Sequence, residues 1–451
     1  EGYTEFRGGV RDESGAYRRP LDAGRVRSLV ASAHGWSPLG PSGVAGGVTV
    51  ERTTLEEGVP ANLGEAYAMS PHLFADSSGT DLGRTLARLE GAGGWMLGDW
   101  GLGLALGHES WDTRTDVTQV PRSQRASRSG AAVGATRALA SGRLMVGGQA
   151  RWLSQVQAMS INTRQAETTV YMLEGYGEPV ATRLVARQGY SRRVEREGGA
   201  AGVSAQIEAA GVRWIAFAEA SKLAERQSEQ FSNNPPTDRW DARGRALGVA
   251  ASGGAPDGPS HFVARLTWAR VTGEAARAGL EEEGTLFGAT ESVLDGALDV
   301  RLRTARGWQG GAHLSLVRDD RDRRDRLARV RSSLKSWRPA LAVEGARDLG
   351  ETLALGVGGG VAWHPPEGGI PDPRSQGNGY RTWIGPGLSY EATPSRTTSG
   401  VVTLRWRSAR GESVAFEARY DRATVRGSDV TLPLAPAGSR GVWNVAVRWA
   451  W

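Results

Sequence analysis

The chain closes on Gly441-Val442-Trp443-Asn444-Val445-Ala446-Val447-Arg448-Trp449-Ala450-Trp451. Successive side chains of an extended strand point to opposite faces of the sheet. In this register one face carries Trp443, Val445, Val447, Trp449 and Trp451, and the other Val442, Asn444, Ala446, Arg448 and Ala450. A continuous Trp/Val band backed by small and polar residues suits a strand that faces lipid on one side and a polar interior on the other. Ending the chain on an aromatic after such a strand marks Trp449 and Trp451 as the expected assembly signal, read by the barrel assembly machinery.

Working back from the terminus, the same two-residue period recurs. Val414, Phe416, Ala418 and Tyr420 alternate with Ala415, Glu417, Arg419 and Asp421. Leu353, Leu355, Val357, Val361 and Trp363 oppose glycines and alanines, while Leu294, Leu298, Val300 and Leu302 oppose Asp295, Asp299, Arg301 and Arg303. Phe262, Leu266 and Trp268 oppose Arg265 and Thr267, and Leu102, Leu104 and Leu106 oppose Gly101, Gly103 and Ala105. An amphipathic helix needs a period near 3.6, which these runs lack. Around Val212–Glu219 and Thr168–Tyr176 both faces carry large residues, as packing on an internal plug or a shifted register would produce.

Composition agrees. The 451 residues include 63 glycines and 16 tryptophans but only 39% hydrophobic residues. A soluble protein of this length buries a large aliphatic core, whereas a barrel needs apolar side chains on one face of each strand alone. No stretch approaches the roughly 20 apolar residues of a spanning helix; strands need only about 9–11. The opening Glu1-Gly2-Tyr3 has no basic or apolar leader, so the signal peptide of an exported chain is expected to have been removed before this numbering. There are no cysteines, which excludes disulfides and thiolate sites. The net charge of +6 comes from arginines interspersed with acids, Lys222 and Lys335 being the only lysines, and does not point to nucleic acid.

Short turns are expected at Leu97–Trp100, Ala140–Arg143, Ala305–Gly307, Asp348–Glu351 and Ala409–Glu412. Long polar loops are expected near Asp112–Ser129, Leu223–Trp240, Gly273–Ala289, Arg318–Ser333, Pro365–Gly379 and Arg426–Arg440. Short periplasmic turns with longer external loops are the barrel norm. Tryptophans 95, 111, 152, 308, 337, 383 and 443 read as interfacial girdles. The expected fold is thus all-β: one transmembrane antiparallel barrel over residues 1–451, of roughly 18 strands with 16 to 20 tolerated. Residues 1–80 look less regular, as a loop or plug together with strands would. One segment too many falls near Tyr380–Thr398 for both termini to share a side.

Between Tyr67 and Arg125 the order of features resembles a family of uncharacterised outer-membrane β-barrels common in Bacteroidota and related phyla. The carrying residues are Ser70-Pro71-His72 with Asp76 and Gly79, Glu90-Gly91, the Gly98-Asp99-Trp100 turn, Leu102 to Gly107, Arg114 and Pro121-Arg122. The family's tyrosine-rich strand and Asp-Pro-Arg motif are replaced by His108-Glu109-Ser110 and Val120-Pro121-Arg122. The resemblance implies the fold and supplies no chemistry.

Chemistry-bearing residues are few. His108-Glu109-Ser110 and His313-Leu314-Ser315 are similar to the His-x-Ser motif of a lipid A deacylase, and residues i and i+2 of a strand share a face. Nucleophilic catalysis further needs an orienting carboxylate and an oxyanion donor, which nothing local supplies together. His34, His72 and Asp76 are too dispersed to specify a metal. Asp319, Asp320, Asp322 and Asp325 evoke a calcium loop, yet no glycine makes the turn and interleaved arginines oppose a cation, so a self-neutralising loop is expected. No catalytic residue, metal or cofactor is assigned.

Arg265, Asp295, Asp299, Arg301, Arg303, Glu344, Arg405, Glu417, Arg419, Asp421 and Arg448 fall on the non-lipid faces and are the lumen-lining candidates. Charges facing lipid cost about 2–4 kcal/mol at the midplane, which places them inside. They read either as a selectivity lining for an anionic or zwitterionic solute or as a cross-strand salt-bridge lattice. The leading expectation is a porin-like channel in the outer membrane. A plugged scaffold with an envelope protein as partner comes second, and a lipid-modifying enzyme third. Outer-membrane lipid and lipopolysaccharide are the other expected partners.

Overall fold

The computed structural model describes residues 2–19, 22–60, 72–76, 79–115, 120–164, 166–174, 180–229, 238–255, 258–277, 286–304, 307–326, 328–371, 380–409, 411–425 and 436–451. Among them, eighteen strands close into one antiparallel barrel. In chain order these are β1 (Tyr3–Gly15), β2 (Arg25–Leu39), β3 (Ser42–Pro60), β5 (Gly79–Leu97), β6 (Trp100–Arg114), β7 (Arg122–Leu139), β8 (Leu144–Asn162), β11 (Gly189–Ala209) and β12 (Val212–Glu229), the other strands being β4 (His72–Asp76), β9 (Thr168–Glu174) and β10 (Val180–Leu184). The barrel continues through β13 (Asp238–Gly253), β14 (Ser260–Arg277), β15 (Phe287–Arg303), β16 (Trp308–Asp325), β17 (Val330–Asp348), β18 (Leu353–His364), β20 (Ser395–Arg407), β21 (Ser413–Val425) and β22 (Gly438–Ala450). β19 (Pro366–Gly369) prolongs the wall by pairing with β17 beyond the end of β18. The last strand closes on the first, Val447 opposite Gly8 and Trp449 opposite Phe6. Thr4 and Trp451 exchange backbone hydrogen bonds of 2.9 and 3.0 Å at the seam. Phe6 and Trp451 stack there at 5.3 Å between centroids.

Both termini lie at the end of the barrel where the connections are tight. Gly40 and Gly98 begin two-residue turns at φ +63 and +61, values open to glycine at little cost. Cation–π pairs on the outer face mark two levels. Arg137 lies over Trp100 at 5.3 Å and Arg347 over Trp308 at 5.1 Å near the turns. Arg318 lies over Trp337 at 5.1 Å and Arg396 over Trp363 at 6.0 Å on the loop side. From Trp308 to Arg318 along β16 is about 25 Å of barrel height, at an axial rise of ~2.5 Å per tilted residue. That is the height of an apolar band.

The wall continues well past this band. β11 has 21 residues and β3, β5, β8 and β17 have 19 each, about twice what a bilayer requires. Several stretches expected as long loops are therefore largely strand: β6 runs to Arg114, β7 starts at Arg122, β16 runs to Asp325 and β17 starts at Val330. Beyond the lipid both faces meet polar surroundings, so hydropathic alternation fades although the hydrogen-bond ladder continues. Of the first 80 residues, β1, β2 and β3 are barrel strands and β4 belongs to a separate sheet, so that stretch holds wall strands together with a segment outside the wall.

Of the ambiguous segments, one folds inward. Thr168–Glu174 is not barrel wall but the centre of a three-stranded sheet, β10-β9-β4. The surplus segment near Tyr380 is helical: a π-helical turn, Tyr380–Ile384, leads into α1 (Gly385–Glu391), which restores the parity of the strands. Two girdle assignments change with this. Trp383 belongs to that helical turn, its side chain outside the described residues, and Trp111 points inward beneath Arg84, 5.5 Å away. Val212–Glu219 stays in the wall; its inner-face Phe217 lies over Gly248, where a β-carbon would collide with the ring.

Candidate functional site

Strand parity separates the two faces. Trp443, Val445, Val447 and Trp449 are exposed on the outer face. Leu82, Met159, Ile161 and Tyr190 sit on the opposite parity and are buried, because the small sheet packs on them through Val170 and Leu184. A second core forms where Leu388 of α1 meets Trp240, Phe287, Val330 and Leu334 of the wall. Both cores lie toward the loop end of the barrel, inside it. Tyr17, in the β1–β2 connection, stacks on Tyr390 of α1 at 4.4 Å between centroids. Burial pushes the hydroxyls of both tyrosines above the ordinary phenol range, the neighbouring ring reinforcing this for Tyr17.

Several ion pairs of this half are enclosed. Arg321 on β16 reaches Asp319 at 2.6 Å, Glu291 at 3.0 Å and Glu391 of α1 at 3.0 Å, tying the helix to the wall. Arg338 also approaches Asp319, at 3.6 Å. Arg196 and Glu225 meet at 2.7 Å with the carboxylate almost wholly buried, and Gln227 donates to it at 2.7 Å. Arg440 holds Glu13 at 2.6 Å and donates to the Ala23 carbonyl at 3.1 Å.

The turn-side half is lined differently. Its inner face carries small residues such as Gly101, Gly103, Ala105 and Gly107, and arginines that stay about half exposed beside partly covered acids. Arg265 meets Asp295 at 3.6 Å, Arg303 meets Asp348 at 3.9 Å, and Arg448 meets Glu5 at 3.2 Å. Arg88 pairs with Glu109 and Arg151 with Glu219. His34 lies 3.3 Å from Glu90. Arg419 and Asp421, two residues apart on β21, meet at 2.8 Å. Glu417 shares their face. Arg301, Arg405 and Glu344 are exposed and form no ion pair among the described residues. All eleven lumen-lining candidates thus share the inner parity; some are locked in pairs and some stand free.

The other candidates separate. His108 faces outward, and its Nδ1 lies 2.9 Å from Ser129 Oγ on the neighbouring strand, not on Ser110. His313 faces the lumen with Nδ1 2.7 Å from Asp299 Oδ1, an orienting carboxylate that the local sequence did not reveal. Ser315 shares that face two residues on, yet no hydrogen bond joins it to the imidazole. Asp319, Asp320, Asp322 and Asp325 lie on strand β16, not in a loop, and alternate between its faces, so they cannot converge on one cation. Asp320 and Asp322 are held by Arg318 at 2.9 Å and Arg331 at 2.8 Å. The side chains of His72 and Asp76 lie outside the described residues, and among those described no three ligands gather for a metal. The Arg321 cluster escaped sequence reasoning because Glu291 sits on the neighbouring strand and Glu391 on a helix read as a strand.

The chain belongs to DUF6850, a family of unknown function whose model spans residues 1–448. No curated protein matches it in sequence. Among solved structures it is similar to the ferric yersiniabactin uptake receptor FyuA from Yersinia pestis, at 11% identity over 100% of this chain and 80% of that one, TM-score 0.46. The copper transporter OprC aligns at 10% identity over 99% and 80%, TM-score 0.43. OccAB3 from Acinetobacter baumannii aligns at 9% identity over 100% and 99%, TM-score 0.37.

Proposed function

We propose that the protein resides in the outer membrane of a Gram-negative envelope and acts as a selective channel, its turn-side lumen wide and hydrated and its loop-side mouth narrowed by the folded-in sheet and helix. The supporting observation is the division of the lumenal charges. Pairs such as Arg265–Asp295 neutralise much of the wall, while Arg301 and Arg405 stand exposed and free to act on a passing anionic or zwitterionic solute. A fixed charge in a narrow aqueous passage is weakly screened and biases which ions pass. Planar-bilayer recording of the purified barrel tests this. Measurable conductance is expected, and Arg301→Glu with Arg405→Glu should shift selectivity toward cations.

The second reading, a closed scaffold, is favoured by the two buried cores inside the barrel. Replacing residues 380–391 with a Gly/Ser linker should raise the conductance of a channel. Silence from both wild type and this variant would establish the scaffold. In either case Trp449 and Trp451 act as the assembly signal, so Trp451→Asp should lower surface levels more than Arg448→Ala.

A further inference from the structure

On the outer face of β12–β14 three cross-strand pairs set cation against cation. Lys222 stands opposite Arg243, Arg226 opposite Arg239, and Arg245 opposite Arg270. Like charges directly opposite one another destabilise a ladder. Arg239 is offset by Asp241, 2.6 Å away. Lys222, Arg243, Arg245 and Arg270 are exposed and form no ion pair among the described residues. The acids nearest them on this face are Glu197, Asp241 and Glu274, which share the row one step further toward the loops.

The level of these cations is informative. The turn-side ends of β12 and β13 pair Val212 with Gly253, and the Lys222–Arg243 pair lies about 25 Å above them at ~2.5 Å of axial rise per residue. That is the level at which Arg318 and Arg396 cap their tryptophans. The next outer-face positions toward the turns are Leu247, Val249, Leu266 and Trp268, all apolar. Four cations held in no direct ion pair therefore sit where lipid headgroups of the loop-side leaflet lie, with the acids one row above them and a surface for acyl chains directly below. They span three strands, about 10 Å at the usual strand spacing, which is wider than one phosphate covers.

We propose that Lys222, Arg243, Arg245 and Arg270 form a binding site for a lipid carrying two or more phosphates in the loop-side leaflet, the class to which lipopolysaccharide belongs. The inference rests on the membrane placement proposed above and is independent of conductance. Each phosphate accepts charge-assisted hydrogen bonds from one opposed pair and relieves its repulsion.

The test uses the purified barrel in phosphatidylcholine nanodiscs, with bound lipid counted by native mass spectrometry. The probes are bisphosphorylated lipid A, the same glycolipid stripped of its phosphates, and inorganic phosphate as competitor. Wild type is expected to hold the bisphosphorylated form on the order of tenfold or more tighter than the stripped form. The K222Q/R243Q/R245Q/R270Q variant should lose that preference, and R318Q/R396Q, at the same level, should keep it. Should the fourfold variant fail to show the heat-modifiable gel mobility of a folded barrel, R243Q and R245Q alone should each weaken the preference. Indifference of wild type to the phosphates, or an unaltered fourfold variant, would overturn the proposal. Displacement by equimolar inorganic phosphate would also overturn it, revealing a free-anion site. Because the assay reads neither current nor location, its failure is distinct from failure of the channel reading.

Discussion

The two halves of the lumen are built from the same strands and obey different physics. On the turn side the arginines of the ion pairs keep about half their surface open, as Arg265 and Arg448 do, so each pair contributes little, about 0–1 kcal/mol. On the loop side the same strands face the small sheet and α1. There, charges such as Asp319 and Glu225 are buried and depend on their partners. One wall thus bears both an open charged lining and a packed core, and what distinguishes them is whether a connecting segment folds back inside.

The sharpest way to break this contrast is Arg321→Ala. Removing one partner of a buried charge cluster typically costs about 3–5 kcal/mol. The loss should appear as rapid hydrogen exchange over Gly385–Glu391 and, in a channel, as larger conductance. The turn-side wall should keep its protection. Leu388→Ala should loosen the same helix by about 2–5 kcal/mol through lost burial, read as increased proteolysis at α1. Arg265→Ala on the turn side should change the melting temperature only marginally.

A smaller, graded test is pH. Tyr17 and Tyr390 have folded-state affinities for their protons above the ordinary phenol value of 10.0. Their contribution to docking α1 is complete below that value and is lost as pH rises through the folded values. Exchange at α1 should therefore accelerate above about pH 10, while the turn-side strands stay protected. The smallest expected effect is at a turn. Ala210 has φ +52 in the Ala210–Gly211 hairpin, a conformation disfavoured for a side chain. Ala210→Gly should raise stability slightly, by up to about 1 kcal/mol, without altering the loop-side cores.

How much of this was legible beforehand follows the same division. Where one face meets lipid, as in β22, β21 and β15, alternation revealed strand, face and the inward placement of Asp295, Arg301 or Arg448. Above the apolar band the signal vanished: Arg318–Ser333 reads as a loop and is mostly strand. Thr168–Glu174, with large residues on both faces, was legible as plug packing or a shifted register, but not as the centre of a separate inner sheet. The sequence by itself determined an antiparallel barrel, its lipid face and its short turns, because lipid imposes a two-residue period on every strand that crosses it. Only the tertiary structure decided which loops fold inward, that Glu391 meets Arg321 and that His313 meets Asp299. Those contacts join residues on different elements, and no local period records which strand stands beside which.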